Sequence, residues 1–191
     1  AASGFLQLKN YNKLVGRNEI IIDGGFGEIW RREFFNRLLV TGKKVLGSKN
    51  AKEIIPYLTI HRANIFNEDV KLEMLRGCEE QINNIFSELP DMNEIGIENW
   101  IDLFAIKTRL VNYYSHEQTR LDSLIICYMP FAQPFLLDNI LNISMEQRKN
   151  GKMFRTLIRN NYSPLLKYPL AKGQLSHPFW LNTIQSRIWN I

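Results

Sequence analysis

A short run of β-branched residues that ends in an acid and two glycines constrains this chain more than any other feature. Residues 19–25 read EIIIDGG, and a helical pattern opens close behind them, near Glu28. The run predicts a strand over residues 19–23 that turns on Gly24 and Gly25. Such a turn can bring backbone N–H groups and a helix N-terminus up to a phosphate or a carboxylate. Glycines are also the ordinary way to pass from strand to helix, so both interpretations stay open.

No other stretch of the chain predicts a strand as clearly, and a lone strand leaves its backbone groups without a neighbour. Either residues 5–8 pair with it, or the rest of its sheet belongs to sequence outside this chain. We favour the second. Residues 1–27 then form the end of a longer sheet, and residues 28–191 form a helical part of the same single domain.

The remaining pattern is helical. The clearest helix covers residues 67–89, where apolar residues recur at helical spacing and Pro90 follows. Further helices are predicted over 28–45, 97–114, 116–129, 135–143, 152–160 and 180–189, with a short one that Pro56 stops or kinks. The predicted fold class is therefore mainly α, an orthogonal array of helices preceded by one short strand.

Charge and cysteine content limit the classes of partner. The net charge of +5 permits an anionic ligand, but the basic residues are scattered and form no tail. The basic face of residues 28–45 could follow a nucleic acid backbone, although a solvated face explains it better. Cys78 and Cys127 have apolar neighbours in sequence, which predicts buried, reduced thiols and a cytoplasmic location. No apolar stretch is long enough to span a membrane.

Four segments carry a more specific signal, and they occur in a fixed order. They are DGG at 23–25 with EIW at 28–30, TRLD at 119–122, PFLLD at 134–138, and a C-terminal series of NGK at 150–152, Arg155, Arg159, Pro164, Lys172-Gly173 and Pro178-Phe179. In order and spacing they resemble the later, mostly helical part of the synthetase domain of glutamine-hydrolysing asparagine synthetases. The same part is found in asparagine-synthase-like proteins that occur with polysaccharide biosynthesis.

This resemblance implies an ATP-dependent ligase that forms an amide. Members of the family activate a substrate carboxylate by adenylation, release pyrophosphate with Mg²⁺ present, and then let ammonia displace AMP. The implied partners are a small carboxylate acceptor, the nucleotide, and an upstream nucleotide-binding segment of the same protein. By position, Asp23 and Lys172 match the catalytic residues, while Gly24, Gly25 and Arg155 lie on the nucleotide and pyrophosphate side.

The chain also departs from the family pattern. The family's second acid is replaced by Phe26-Gly27, which leaves Glu28 as the candidate metal ligand. The Glu-x-Arg pair that precedes Pro-Phe-Leu-Asp in the family is replaced by PFA at 130–132. No Ser-Gly-Gly-x-Asp-Ser pyrophosphate loop occurs, and no N-terminal cysteine for a glutaminase. We therefore expect a piece of a longer synthetase-like protein that is inactive by itself, or a non-catalytic helical scaffold or binding module derived from that fold.

Each candidate residue also has an ordinary structural role to set beside the catalytic one. Asp23 could accept N–H bonds within its own turn or cap the following helix, and Lys172 could be a solvated loop lysine. Lys152 and Arg155 could form an exposed helix face. Asp122 and Asp138 are better explained as internal hydrogen-bond anchors than as catalysts, and His116-Glu117 as a surface pair at a helix start.

Overall fold

The computed structural model describes residues 10–58 and 65–169. Most of these residues are helical, which confirms the mainly α class. In chain order the strands and α-helices are β1 (Ile21–Ile22), α1 (Asn36–Thr41), α2 (Lys43–Leu46), α3 (Ala51–Leu58), α4 (Glu68–Glu88), α5 (Met92–Ile95), α6 (Ile97–Ala105), α7 (Ser115–Asp122), β2 (Cys127–Tyr128), α8 (Pro134–Ile140), α9 (Met145–Arg148) and α10 (Lys152–Tyr162). A π-helix covers Ile106–Tyr114, and 3₁₀ turns cover Gly27–Arg31, Pro130–Ala132, Lys149–Gly151 and Ser163–Lys167.

The described residues fall into two compact units. The first unit contains the chain up to Phe26 together with Phe34–Ala132, and the second contains Gly27–Glu33 and the chain from Gln133 onward. None of the helices within residues 10–58 and 65–169 is long and apolar enough to cross a bilayer. The predicted strand at residues 5–8, Lys172 and the predicted helix at 180–189 lie outside the described residues.

The first unit is built around an aromatic core. Trp100 and Phe104, one helical turn apart on α6, stack at 5.7 Å between ring centroids, and Phe86 of α4 contacts both rings at 5.5 and 5.6 Å. Aliphatic side chains complete this core, namely Leu38, Leu46, Ile54, Ile55, Ile82 and Ile101. Large rings bury much apolar area per residue, so short helices suffice to hold the unit together.

Helix α4 confirms the helix predicted over residues 67–89. It starts where the side chain of Asn67 accepts the backbone N–H of Val70 at 2.9 Å, which satisfies a donor that the helix itself cannot. Only the C-terminal half of its apolar stripe is fully buried, at Ile82 and Phe86. Val70 and Met74, nearer its start, remain 37% and 42% exposed.

The helix predicted over residues 28–45 is wrong in its first half. The chain instead forms a 3₁₀ turn at Gly27–Arg31 and passes through left-handed conformations at Arg32 and Phe35 before α1 begins. The buried side chain of Trp30 belongs to the second unit and that of Leu38 to the first. A regular helix presents a single apolar stripe, so it buries its side chains in one unit only. The helical conformation is therefore interrupted between Trp30, which is buried in the second unit, and Leu38, which is buried in the first.

The helix predicted over residues 97–114 is present and continues without interruption through α7 to Asp122. Its middle part is the π-helix Ile106–Tyr114. The helix predicted over 116–129 is wrong beyond Asp122, because the chain leaves the helix and forms β2. The prediction of a single short strand is also wrong, because β2 is a second strand. Within the described residues β1 pairs with β2, so one neighbour of the strand lies in this chain.

The second unit packs the 3₁₀ turn at Gly27–Arg31 against α10 and the turn that precedes it. Ile29, Trp30, Ile140 and Leu166 are buried in this unit. Arg148 is also fully buried, and its Nε donates to the carbonyl of Ile143 at 3.2 Å. A buried guanidinium requires such acceptors, so this unit has a partly polar interior.

Candidate functional site

Strands β1 and β2 run parallel, with Ile21 opposite Cys127 and Ile22 opposite Tyr128. The N–H of Ile21 donates to the carbonyl of Ile126 at 2.9 Å, and the N–H of Asp23 donates to the carbonyl of Tyr128 at 2.8 Å. Parallel strands end at the same edge of their sheet. The residues that follow both strands therefore lie together, at the kind of edge where ligands bind in open α/β sheets.

Residues 23–25, which we call the glycine corner, form a closed turn at this edge. Oδ1 of Asp23 accepts the N–H of Gly25 at 2.8 Å, so the role of an acceptor within its own turn is confirmed for this acid. Gly24 is exposed, and a Cβ placed on it would meet nothing within 4 Å. A Cβ on Gly25 would lie 3.1 Å from Cε of Met129 and 3.2 Å from Cδ1 of Tyr114. A side chain at Gly25 would thus be crowded by its neighbours, whereas Gly24 leaves the corner open to solvent.

An aromatic residue follows the glycine corner where the family pattern has an acid. Phe26 is fully buried with a left-handed φ of 65°, and its ring lies 5.0 Å from that of Phe34 and 5.3 Å from that of Tyr114. This aromatic cluster contains no carboxylate, the side chain on which a hard cation site chiefly depends. Residues 10–58 and 65–169 contain no group of three or more acidic, histidine or cysteine side chains placed to hold a metal. The described residues of the corner therefore do not fit the Mg²⁺ ion that the resemblance implies.

Two side chains of α7 hold the far side of β2. Oδ1 of Asp122 accepts the N–H of Cys127 at 3.0 Å, and Nε2 of Gln118 donates to the carbonyl of Cys127. Gln118 also donates to Asp122 at 3.1 Å. The role of Asp122 as an internal hydrogen-bond anchor is confirmed. The sequence analysis did not identify Gln118, although its position one helical turn before Asp122 predicts that the two side chains interact.

Cys127, whose backbone these polar groups bind, is itself a buried residue. Its thiol is buried, and burial raises its pKa above the ordinary value. The negative charges of Asp23 and, less strongly, Asp122 raise this pKa further, and a hydrogen bond from Gln118 opposes them. The thiol is therefore neutral near pH 7 and a poor nucleophile.

The second unit contains Arg155, the residue predicted on the pyrophosphate side. Burial lowers the pKa of Arg155, and the neighbouring charge of Arg159 lowers it further. A Cβ built on Gly151, the left-handed residue before α10, would lie 3.8 Å from Nη1 of Arg155 and 4.0 Å from Cδ of Arg31.

The other predicted residues lie in ordinary surroundings. Lys152 is exposed and pairs with Glu146, as expected of a helix face. Asp138 is exposed on α8, and exposed His116 contacts the carbonyl of Val111 through Nδ1. Glu28, the candidate metal ligand, lies in the 3₁₀ turn of the second unit.

The structure thus brings Asp23, Gly24 and Gly25 together in the first unit, while Arg155 and Glu28 belong to the second. Comparisons with protein-family models, with curated proteins and with solved structures gave no match. The resemblance to asparagine synthetases therefore stays a prediction from the sequence.

Proposed function

We propose that this chain is the acceptor-side part of an ATP-dependent amide-forming domain of the asparagine synthetase kind. A carboxylate oxygen of the substrate attacks the α-phosphorus of ATP, and the bond to pyrophosphate breaks. Ammonia then attacks the acyl carbon, AMP leaves with the electron pair, and the nitrogen loses a proton. The observation that carries this proposal is the parallel pairing of β1 with β2, which places the glycine corner at the carboxyl edge of a sheet.

Three features of the first unit support this assignment. The DGG segment forms the turn at the end of β1, and Asp122 of the TRLD segment binds β2 through its backbone. The residues after β2 begin at the same edge, where Met129 lies against Gly25. Segments that are about a hundred residues apart in sequence are thus close in space.

The chain's own residues have distinct roles in this proposal. Gly24 allows the substrate to approach the backbone, because no side chain lies near it. Asp23 fixes the turn through Oδ1. We assign its other carboxylate oxygen to the reacting ammonia or carboxyl group. The resemblance, rather than the geometry of either unit, assigns to Lys172 and Arg155 the positive charge that opposes negative charge on the phosphates. No step is assigned to Mg²⁺.

The proposal further places the nucleotide's phosphates on an upstream segment of the same protein, in the cytoplasm. It is tested by pyrophosphate release from the protein expressed with its upstream sequence, given ATP, Mg²⁺, ammonia and aspartate. We expect Lys172→Ala to lower this rate by about a hundredfold. Lys152→Ala is the matched control, since Lys152 is exposed and paired with Glu146. Turnover that survives Lys172→Ala would contradict the role of that lysine.

Gly24→Ala tests the corner itself. The added methyl group meets nothing, so we expect the unfolding free energy to stay within about 0.5 kcal/mol of wild type. The rate of pyrophosphate release should nevertheless fall about tenfold or more, because the methyl group occupies the path of the substrate. An unchanged rate would mean that substrates do not approach the corner at Gly24.

A second candidate function is a non-catalytic helical scaffold or binding module that retains this fold. The buried ring of Phe26, in place of a second acid, favours it. Calorimetry of the protein with its upstream sequence separates the two candidates. Heat of binding on addition of ATP with Mg²⁺ supports the ligase, and its absence supports the module.

A further inference from the structure

We propose that the π-helix Ile106–Tyr114 is a register switch, in which Tyr113 and Tyr114 exchange places against Gly25. In the register of the structure, the ring of Tyr114 covers the glycine corner. In the second register the same segment is α-helical, and the ring of Tyr113 takes that place. Such a switch operates whether or not the corner binds a substrate, so it goes beyond the proposed function.

The π-helix holds one residue more than an α-helix with the same two ends. Each N–H in a π-helix donates to the carbonyl five residues back, whereas an α-helix uses the carbonyl four residues back. The N–H of Ser115, at the C-terminal end, accordingly donates to the carbonyl of Leu110. Regular α-helix continues on both sides, in α6 and in α7. The extra residue is therefore confined to this segment, and π-helical turns inside α-helices are frequent at functional sites.

The flanks of the π-helix are anchored, whereas its own residues are all exposed or half-buried. Helix α6 carries the rings of the aromatic core, and α7 holds β2 through its side chains. The π-helix itself contacts other elements through an exposed ion pair of Lys107 with Glu88 and through Arg109, whose guanidinium lies 5.2 Å from the ring of Phe35. Surface contacts of these kinds stabilise one register only weakly. A change of register between the two flanks therefore leaves the core intact.

The carbonyl of Val111 has a partner in either register. In an α-helix it would accept the N–H of Ser115, which here donates to Leu110 instead. Side chains take the place of that N–H: Oγ of Ser115 donates to the Val111 carbonyl, and Nδ1 of His116 contacts it at 3.2 Å. Because this acceptor stays paired when the backbone bond changes, the shift avoids the cost of an unsatisfied carbonyl.

The two adjacent tyrosines make the registers equivalent at the glycine corner. A Cβ on Gly25 would lie 3.2 Å from Cδ1 of Tyr114, and the same ring meets that of Phe26 edge-on at 5.3 Å. Counted from α6 without the extra residue, residue 113 takes the position that residue 114 has in the structure. Tyr113 is 58% exposed, so its ring gains cover by moving there. The extra residue then lies in the first turn of α7, whose residues are exposed or half-buried.

The first test combines two substitutions in the full 191-residue chain. Thermal unfolding of the first unit is followed through the methyl signal of Met129. We expect Tyr113→Ala to lower the midpoint by less than about 2 °C, and Tyr114→Ala by about 3 °C, because Tyr113 replaces the missing ring. The variant with both substitutions has no ring to offer in either register. Its midpoint should fall by about 10 °C, which exceeds the sum of the single losses.

The sign of this non-additivity separates a switch from an ordinary contact. The rings of Tyr113 and Tyr114 also touch each other, at 5.1 Å between centroids. Loss of a mutual contact makes a double variant lose less than the sum of the single losses, whereas replacement of one ring by the other makes it lose more. Tyr57→Ala, at a partly buried ring of the same unit, is the matched control, and its loss should add to that of Tyr113→Ala.

A nuclear Overhauser effect shows directly which ring covers the corner. In wild type, an Hα proton of Gly25 should show this effect with the ring of Tyr114, since a Cβ in its place would lie 3.2 Å from that ring. In Tyr114→Ala the same proton should show it with the ring of Tyr113.

Deletion of Asn112 tests whether the segment holds an extra residue. Asn112 is exposed in the π-helix, so its removal should leave a continuous α-helix and lower the midpoint by less than about 3 °C. Deletion of Asn83 is the matched control, because this residue is equally exposed but lies in the regular helix α4 between the buried Ile82 and Phe86. That deletion rotates the two buried side chains out of line and should lower the midpoint by about 10 °C or more.

Several results would overturn the proposal. One is a double variant that loses no more than the sum of the single losses. Another is a single tyrosine variant that fails to fold, or a Tyr114→Ala variant without an Overhauser effect between Gly25 and Tyr113. A third is a deletion of Asn112 that costs as much as the deletion of Asn83. A double variant that does not fold, when both single variants do, is the larger loss that a switch requires.

Discussion

The carboxylate of Asp122 accepts the backbone N–H of Cys127 at 3.0 Å, so the last residue of α7 binds the first residue of β2. A side chain at a helix end thereby takes the place of a neighbouring strand. This contact fixes where the helix gives way to the strand. It also sets the position of β2 beside β1, and hence the position of the glycine corner.

Asp122→Ala removes the acceptor of this contact. The N–H of Cys127 then loses its partner at a half-buried site, so we expect the unfolding free energy to fall by about 1–2 kcal/mol. Asp122→Asn keeps an oxygen in place and should cost less than half as much. Asp138→Ala is the control, because Asp138 is exposed on α8, and should stay within about 0.5 kcal/mol of wild type. Urea unfolding measures all three. Equal losses for the alanine and asparagine variants would contradict the hydrogen bond.

Gly25→Ala should destabilise the first unit through crowding. The added methyl group would lie 3.1 Å from Met129, 3.2 Å from Tyr114 and 3.3 Å from Oδ1 of Asp23, so these groups must shift. We expect a loss of about 1–3 kcal/mol in unfolding free energy. Gly24→Ala is the matched control, since its methyl group meets nothing. Thermal unfolding of both variants checks the difference, and equal midpoints would show that Gly25 is not confined.

Local patterns predicted the elements that local interactions stabilise. Helix α4 has a capping residue at Asn67 and a regular apolar stripe, and both signals lie within the helix itself. Strand β2 has only two residues, and its hydrogen bonds go to β1 and to α7. The apolar run around it fits a helix equally well by periodicity. Its conformation is decided by partners that are distant in sequence, so no local pattern could reveal it.

The same distinction applies to the candidate site. Asp23, Gly24 and Gly25 were predictable because a strand, an acid and two glycines follow one another directly. The broken helix at Arg32 and Phe35 was not, since its cause is that adjacent segments belong to different units. Cys127 was predicted as a buried thiol, but its position near Asp23 depends on the pairing of β1 with β2.

Cys127 should make the stability of the protein depend on alkaline pH. Burial first, and then the charge of Asp23, raise the pKa of this thiol in the folded protein above that in the unfolded chain. The folded state therefore binds the proton more tightly. The stabilisation that the Cys127 thiol contributes is complete below its pKa in the unfolded chain, which is about 8.5. It is lost as the pH rises through the pKa of the same thiol in the folded protein.

The test compares unfolding free energies between pH 7 and 10. Cys127→Ala should remove the part of the alkaline decline in unfolding free energy that this thiol causes. Cys78→Ala, at the half-buried thiol of α4, should retain that decline. In wild type at pH 8, a maleimide should modify Cys78 faster than Cys127. A parallel decline in wild type and Cys127→Ala would show that other groups cause the alkaline loss.

Phe104 should contribute more to the stability of the first unit than any exposed aromatic residue does. Its ring is fully buried, stacks on Trp100 at 5.7 Å and contacts Phe86 at 5.6 Å and Phe35 at 5.4 Å. Phe104→Ala removes these contacts and leaves a cavity, so we expect a loss of about 3–5 kcal/mol. Phe135→Ala, at a ring that is 75% exposed, should change stability by less than about 0.5 kcal/mol. Because a loss of that size can unfold a small unit, the unfolding free energies of both variants are measured at 10 °C, by tryptophan fluorescence in urea. If Phe104→Ala cost no more than Phe135→Ala, the aromatic core around Phe104 would not be what stabilises the first unit.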